Sequence, residues 1–321
     1  MKKTFAFLSV FVLISSLLVA GGSGETNTSG ELSFGTGGDQ GTYYGFGSVL
    51  AQRISSETDT KLTAVVSNGS QDNIEMMDMG YYQLGFVQSD VMSYAYDGTN
   101  LFEDNPITDF STVGALYMEQ VQIVTLNPAI KTVADLKGKT VSIGSSGSGV
   151  YYNAIDVLGA YGLTENDIKP TYQSFGDSVD ALQDGKIDAA FVVAGAPTVA
   201  VSTLASTRDV YLVSIDDEHI NSLIETSPYY SKYTIGSSVY GTDEDCQTVA
   251  IAAVVIARDD VAEDDVYNII STIFNDKEAI SASHNKGAEL DLAFASSITN
   301  IPYHPGAARY YEEQGISVPV K

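Results

Sequence analysis

Two segments of this sequence, about 109 residues apart, follow the same pattern. Each has a short apolar strand, a glycine-rich loop, a Tyr-Tyr pair and a helical pattern, first in 32–44 and again in 141–152. A second echo relates 79–87 to 184–192, where a helix ends at a glycine and a short buried strand follows. Any two βαβ units share some of these turns and strand–helix boundaries, so the echo could also reflect βαβ architecture alone. We interpret the echo as the sign of two similarly built lobes.

Short apolar runs alternate with helical patterns along much of the chain. The patterning predicts strands at 32–34, 62–66 and 84–87, early helices at 43–56 and 70–79, and tail helices at 264–275, 278–284 and 306–314. Strands that alternate with helices of this length are typical of right-handed βαβ units and a mostly parallel sheet. The predicted fold class is therefore α/β.

Two long β-rich runs flank the second of the echoing halves. They cover 120–126 and 248–257. If both runs cross between lobes, lobe one comprises residues 31–122 together with 250–321, and lobe two comprises residues 123–249. Two crossovers form a hinge, and two hinged lobes enclose a cleft that can close.

The N-terminus has the features of an export signal. Lys2 and Lys3 precede a mainly apolar run, and small residues follow it. We therefore expect a signal sequence at 1–21, a flexible tether at 22–30 and a periplasmic or extracellular location. A transmembrane anchor is the alternative, but the run is somewhat short for a span. Lipoprotein acylation would need a cysteine where Gly22 stands, so lipid anchoring is expected only if Gly22 replaces a native cysteine.

Composition excludes several kinds of partner. The chain carries 16 Lys and Arg against 41 Asp and Glu, a formal charge of −25. Nucleic acids and anionic membrane surfaces are bound by clustered basic residues, so we expect neither as a partner. The single cysteine, Cys246, and three widely separated histidines form no recognisable metal-ligand spacing. We expect no metal and no cofactor.

Five loops lie where a predicted strand ends and a helix begins. Such a place offers unpaired backbone N–H groups and the positive end of the helix dipole, which suit a carboxylate or a phosphate. Parallel sheets bind ligands beyond the carboxyl ends of their strands, so we expect the five loops to form one site. We also expect Tyr151 to line the site and Pro197 to open a helix. The predicted ligand-binding residues are Gly37, Gly38, Thr42, Tyr43, Ser67, Asn68, Gln88, Ser145, Ser146, Gly147, Ser148, Gly149, Gly195 and Ala196.

No motif in the sequence calls for catalysis. The first glycine-rich loop lacks the GxGxxG spacing of dinucleotide-binding proteins, and neither a phosphate-binding P-loop nor a GxSxG nucleophile elbow occurs. We therefore expect a protein that is not an enzyme and has no catalytic residues. Two alternatives stay open: a periplasmic enzyme that uses the same cleft, and a ligand-binding sensor module.

An ordered set of motifs carries a family resemblance. The motifs are GTGGDQGTYY at 35–44, SNGSQDNI at 67–74, LGFVQSDV at 84–91, DLKGK at 135–139, GSSGSG at 144–149, ALQDGKIDA at 181–189, GAP at 195–197 and YHPGAARYY at 303–311. Together they make the chain resemble the TAXI-type (TRAP-associated extracytoplasmic immunogenic) solute-binding proteins of tripartite ATP-independent periplasmic (TRAP) transporters. The set is more specific than any of its members, and it covers nearly all of the expected mature chain.

The resemblance implies a fold, a ligand class and a partner. The fold would be the type II periplasmic binding fold, in which two lobes joined by two crossover strands close on one ligand. The ligand would be a small carboxylate, either a glutamate-like amino acid or a dicarboxylate. A monomeric protein would deliver it to the membrane permease subunits of a TRAP transporter, which is driven by an ion gradient.

Overall fold

The computed structural model describes residues 30–321. The predicted signal sequence, and all of the predicted tether except Gly30, lie outside the described residues. Within the described part of the chain, no helix is both long and apolar enough to span a bilayer.

The first part of the chain forms three strands that alternate with three helices. They are β1 (Leu32–Gly35), α1 (Thr42–Glu57), β2 (Leu62–Val65), α2 (Ser70–Asp78), β3 (Leu84–Gln88) and α3 (Ser89–Asp97). The three strands are parallel, and β1 lies between β2 and β3. Each element predicted here from patterning is present, with bounds that differ by one or two residues.

A long strand, β4 (Phe110–Thr125), then leads into a second set of alternating elements. These are β5 (Thr140–Ser142), α4 (Gly149–Ala160), β6 (Lys169–Thr171), α5 (Phe175–Gln183), β7 (Ala189–Ala194), α6 (Val199–Ala205), β8 (Tyr211–Leu212), α7 (Asp217–Thr226) and β9 (Ser231–Ile235). Here β5 lies between β6 and β7, again in parallel. Each half therefore repeats one βαβαβ arrangement with the first strand in the middle, which is the physical basis of the echo in the sequence.

The chain returns through a second long strand and ends in helices. These elements are β10 (Cys246–Arg258), α8 (Glu263–Asn275), α9 (Lys277–Ser283), α10 (Leu292–Ala295) and α11 (Pro305–Glu313). Helices α8, α9 and α11 supply apolar side chains to the same core cluster as α1 and β1. His304 caps α11, because its Nδ1 accepts a hydrogen bond from the backbone N–H of Gly306 at 3.2 Å.

The two long strands join the two halves. The strand order is β2-β1-β3-β10-β4-β7-β5-β6, with β4 and β10 antiparallel to each other and to their outer neighbours β7 and β3. The first part of β4 pairs with β10, and its last residues, from Gln120 to Thr125, pair with β7. The prediction of an α/β fold with two crossover strands is confirmed, although the central strands are antiparallel and not parallel. The residue bounds of the two lobes stay a prediction.

One local prediction was wrong. Pro197 does not open a helix, because α6 begins at Val199 with Thr198 as its N-cap. The Ala196–Pro197 peptide bond is cis, and the loop turns before the helix starts.

Candidate ligand-binding site

Four helices begin close together between the two lobes. Their N-cap residues are Gly41 for α1, Gly69 for α2, Gln88 for α3 and Ser148 for α4. None of these four residues caps its helix with a side-chain hydrogen bond. The first turn of a helix has N–H groups without intrahelical partners, and it carries the positive end of the dipole. The arrangement concentrates hydrogen-bond donors and positive potential in one place.

A cavity of about 280 Å³ lies at these helix starts. Both halves of the chain line it, since it is bounded by the loops after β1, β2 and β3 on one side and by the start of α4 and the end of β7 on the other. The predicted residues that line it are Gly37, Gly38, Thr42, Tyr43, Ser67, Asn68, Gln88, Ser145, Ser148 and Gly149. The structure therefore brings most of the predicted site together.

The other four predicted residues lie beside the cavity without lining it. Ser146 faces an adjoining surface groove, and Gly147 uses its carbonyl to accept a hydrogen bond from the Asp72 N–H at 3.0 Å. The Gly195 carbonyl accepts from the Thr42 hydroxyl at 2.8 Å. The Ala196 N–H donates to the Gln120 side chain at 2.7 Å. Three of these four residues thus make contacts that hold the loops in place.

Of the two tyrosines expected at the site, one lines the cavity. Tyr43 does so, with its ring stacked on Phe86 at 4.8 Å between centroids. Tyr151 does not line the cavity, and its hydroxyl is directed at Glu165 at 3.3 Å. Adjacent helical residues face different directions, so the Tyr-Tyr echo in the sequence does not place equivalent side chains in one site.

Glu119 is the main cavity residue that the sequence analysis missed. It lies on β4, lines the cavity and is only 2% exposed. The Tyr43 hydroxyl donates a hydrogen bond to its Oε2 at 2.7 Å. Burial raises the pKa of Glu119 to about 8, although the Tyr43 hydrogen bond acts in the opposite direction. The available signal was a glutamate directly before the predicted β-rich run at 120–126, since a charged residue in a buried strand needs a partner.

Apolar side chains also line the cavity, and patterning did not identify them. They are Val66, Val150, Phe175, Val193 and Ala194. Most of them come from the second half of the chain. The cavity therefore combines a polar side, made by the helix starts, with an apolar side.

Two buried polar atoms at the cavity lack a partner. Within residues 30–321 neither Gln88 Oε1 nor Ser148 Oγ has a hydrogen bond, although the two residues are only 2% and 5% exposed. Buried polar groups in native proteins are nearly always satisfied, so an orphaned pair at a cavity indicates where a bound molecule makes contacts. The predicted hydroxyl donor Ser148 is one of the two.

The charges around the cavity are negative. Among the residues that line it, within the described chain, there is no Lys or Arg, whereas Glu119 and the exposed Asp39 both take part. Asp177, Asp180 and Asp184 border the adjoining groove. Lys186 also borders that groove, where it pairs with Asp184. In the lining of the cavity itself, helix starts, backbone N–H groups and hydroxyls oppose the negative field.

The two halves touch across the cavity. Besides the Thr42 bond to Gly195, the Ala200 N–H donates to the Gln40 carbonyl at 3.2 Å. The Asp72 bond to Gly147 joins α2 to the loop before α4. These hydrogen bonds connect residues of the first βαβαβ unit to residues of the second. The structure therefore represents a closed arrangement, with the cavity enclosed between the lobes.

The chain has a partial sequence relative among curated proteins. It is 41% identical over 70 residues to a putative aliphatic sulfonates-binding protein of Escherichia coli strain K12. The match covers 22% of this chain and 22% of the length of that relative.

Several solved structures share the fold at low sequence identity. A protein of Bordetella bronchiseptica RB50 aligns with a TM-score of 0.57 at 13% identity, covering 90% of this chain and 99% of the other. The ligand-binding component of an ABC-type import system from Staphylococcus aureus aligns with 0.53 at 11% identity over 89% and 92%. The GluR0 ligand-binding core from Nostoc punctiforme, in complex with L-glutamate, aligns with 0.50 at 15% identity over 80% and 99%. The type II periplasmic binding fold is thereby confirmed.

A family model extends over nearly the whole described chain. The model of the NMT1-like family matches residues 34–315, from the first strand to the end of the last helix. The match includes every loop that lines the cavity. This chain belongs to the NMT1-like family.

Proposed function

We propose that this protein is an extracytoplasmic solute-binding protein that encloses one small molecule with an anionic group between its lobes and delivers it to a membrane transporter. One observation carries the proposal: four helix starts without side-chain caps converge on a cavity where, within residues 30–321, Gln88 Oε1 and Ser148 Oγ have no hydrogen-bond partner. Such a site binds an anionic group without a basic side chain. Contacts from both lobes select the closed state.

The anionic group of the ligand is proposed to be a carboxylate. Carboxylates accept several N–H and O–H hydrogen bonds at once, as the loops before α1, α2 and α4 offer. A sulfonate is the second candidate, because the partial relative from Escherichia coli is a putative aliphatic sulfonates-binding protein. Both groups are acceptors of similar size and would use the same donors.

The transporter is proposed to be of the TRAP type. This part of the proposal rests on the resemblance to TAXI proteins, through motifs that lie at the cavity, such as 35–44 and 144–149. The protein would act as a monomer in the periplasm or outside the cell and present its closed form to the permease subunits. Uptake of the ligand by vesicles that carry those subunits should follow an imposed ion gradient and should continue without ATP.

Native mass spectrometry tests the binding function. We expect the purified protein to retain a small molecule, to lose it after unfolding and refolding, and to regain it unmodified when the molecule is returned. Recovery of a chemically altered molecule would favour the enzyme alternative. The absence of any bound molecule, together with no binding of small carboxylates or sulfonates to the refolded protein, would contradict the proposal.

A further inference from the structure

Glu119 occupies a fixed position at the cavity. On β4 it follows Tyr117 by two residues, so both side chains project from the same face of the sheet. The Tyr43 hydroxyl holds Glu119 Oε2, and Tyr43 is itself held by stacking on Phe86 with the two rings 6° from parallel. The carboxyl group is therefore held in a defined position by its neighbours.

No basic side chain compensates this carboxyl group. Within residues 30–321 the hydrogen bond to the Glu119 carboxyl group comes from Tyr43 and reaches Oε2. Lys286 is the cation whose charge acts on Glu119, but its Nζ contacts Glu289 Oε1 at 2.6 Å and lies 5.4 Å from the Tyr117 ring centre. Lys286 does not line the cavity. A buried carboxylate without a cation is unfavourable, so its partner must be a proton or a charge brought by the ligand.

A second acceptor without a donor lies on the same part of the sheet. Gln88 at the end of β3 pairs with Ala253 of β10, and Ala253 pairs with Tyr117 of β4. Phe86 and Gln88 are two residues apart on β3, as Tyr117 and Glu119 are on β4, so each pair projects from one face of the sheet. Phe86 and Tyr117 belong to one core cluster, so the two pairs share that face. Gln88 Oε1 is buried and unpartnered. Both residues line the cavity, so Glu119 and Gln88 together offer acceptors that suit a group with donors and positive charge.

We propose that Glu119, assisted by Gln88, receives a protonated amine of the ligand, so that the bound molecule is a zwitterion. Its ammonium group lies at Glu119, and its carboxylate or sulfonate lies at the helix starts. An ammonium group has three donors and no acceptor, so Glu119 and Gln88 can accept two of its hydrogen bonds. The inference rests on the proposed function and deepens it, because it excludes ligands that carry only anionic groups.

The competing arrangement is a protonated Glu119 that donates to a second carboxylate of the ligand. The two arrangements differ in whether ligand binding releases the proton held by Glu119. The pKa of Glu119 is raised to about 8, so the empty cavity holds a proton there at neutral pH. Binding of an ammonium group displaces that proton, and affinity rises as the pH approaches 8. A second carboxylate retains the proton, and affinity falls over the same range.

Several charged or titratable groups face Glu119 and shape this pH dependence. Tyr43 approaches from α1, Asp90 from α3, Lys286 from the turn after α9, and Tyr117 from the same strand. Tyr43 and Lys286 lower the pKa of Glu119, whereas Asp90 raises it. Proton release measured by calorimetry is therefore a more direct test than the pH profile of affinity, and a variant assigns that release to Glu119.

Isothermal titration calorimetry on matched ligand pairs tests the inference. Each pair differs only in the amine: L-leucine and 4-methylpentanoate, L-glutamate and glutarate, and taurine and ethanesulfonate. At pH 7 we expect at least one amine-bearing compound to bind, tenfold or more tighter than its amine-free partner. Titration in buffers of different ionisation enthalpy should show that this compound releases a proton on binding.

Two variants assign the preference to Glu119. In Glu119→Gln, which keeps the shape and a hydrogen-bond acceptor, the preference should fall below threefold and proton release should disappear. In Glu225→Gln, which removes the same charge at an exposed position of α7 that does not line the cavity, the preference should be retained. Proton release by the natural chain provides the test without a variant if Glu119→Gln does not fold.

The outcomes separate the two proposals. Equal or tighter binding of the amine-free compounds, proton uptake on binding, or an unchanged preference in Glu119→Gln would overturn the role of Glu119 while leaving the binding function intact. Failure of all six compounds to bind would contradict both.

Discussion

At the scale of single residues, the loop before α4 uses glycines for two different reasons. Gly147 has φ +81°, a conformation that side chains rarely adopt, and its carbonyl accepts the hydrogen bond from α2. Gly149 is needed because of a close approach: a Cβ atom there would lie 1.8 Å from Gln88 Oε1 and 3.0 Å from Ser70 Oγ. The first glycine sets the path of the chain, and the second lets α4 begin against the first lobe.

Gly149 offers a direct test of this close approach. Gly149→Ala should displace the Gln88 side chain and weaken binding of the natural ligand by tenfold or more, with a loss of about 1–3 kcal/mol in the free energy of unfolding from overpacking. Calorimetry and chemical denaturation measure the two effects.

The same helix supplies the control. Gly159 is exposed on α4, and a Cβ atom there would meet nothing within 4 Å. Gly159→Ala should leave binding unchanged and stabilise the protein by about 0.5–1 kcal/mol, because alanine favours a helix more than glycine does. Equal binding by both variants would show that Gly149 does not face an occupied site.

Sequence patterning predicted the polar side of the cavity better than the other parts. Residues such as Thr42 and Ser148 belong to short strand–loop–helix motifs, whose geometry depends on neighbours in sequence. Glu119 belongs to a strand that runs past the cavity, and its role depends on pairing with β10, more than a hundred residues away. Gly195 and Ala196 follow a strand end as predicted, but their backbone groups are used by Thr42 and Gln120.

At the scale of elements, α3 and α4 meet through a buried polar cluster. Asn153 on α4 donates from its Nδ2 to Asp90 Oδ2 on α3 at 3.0 Å and to the Tyr230 hydroxyl at 2.8 Å. The Tyr230 hydroxyl donates to Asp156 Oδ2 at 2.9 Å. Burial raises the pKa of Asp90 to about 7, and the nearby Asp156 adds to the shift. Two carboxyl groups that no basic side chain of residues 30–321 pairs with thus lie where the lobes touch.

This cluster makes stability depend on pH. The folded chain holds a proton on Asp90 up to about pH 7, whereas an unfolded aspartate releases it above about pH 4. The folded state binds the extra proton in this window, so the free energy of unfolding should fall as the pH rises from about 4 to 7. In Asp90→Asn the decline between pH 5 and pH 8 should be smaller by roughly 2 kcal/mol, as measured by urea denaturation.

A substitution on the same helix controls for the change in net charge. Asp97 is exposed at the end of α3, and Asp97→Asn removes one charge without touching the cluster. Its pH profile should follow that of the natural chain. If the free energy of unfolding of Asp90→Asn depends on pH as it does in the natural chain and in Asp97→Asn, Asp90 does not hold a proton in the folded state.

The elements themselves were partly predictable. Alternating patterns located helices such as α1, α2 and α8 and the strands β1, β2 and β3, since burial on one face leaves a period in the sequence. The edge strand β6 was not predicted. The strand β4 starts ten residues before its predicted beginning, at Phe110 and not at Gln120. Its first half is buried on both faces and includes polar Ser111 and Thr112, so it shows no alternation.

At the scale of the whole molecule, two copies of one βαβαβ arrangement face each other across two long strands. The large negative charge lies mostly on exposed side chains and sets the general surface potential. Inside the cavity the balance is local, because helix starts attract an anion while Glu119 offers a place for a cation. Net charge therefore bears on large partners such as nucleic acids, whereas the local arrangement bears on the ligand.

Hydrogen–deuterium exchange tests most directly whether a ligand is held between the lobes. The probe is a saturating amount of the compound that binds most tightly among the calorimetric pairs. The account predicts slower exchange in both glycine-rich loops, 36–43 in the first half and 144–150 in the second, because the ligand contacts both and stabilises the closed state. Slower exchange in only one half, or in neither, would contradict it.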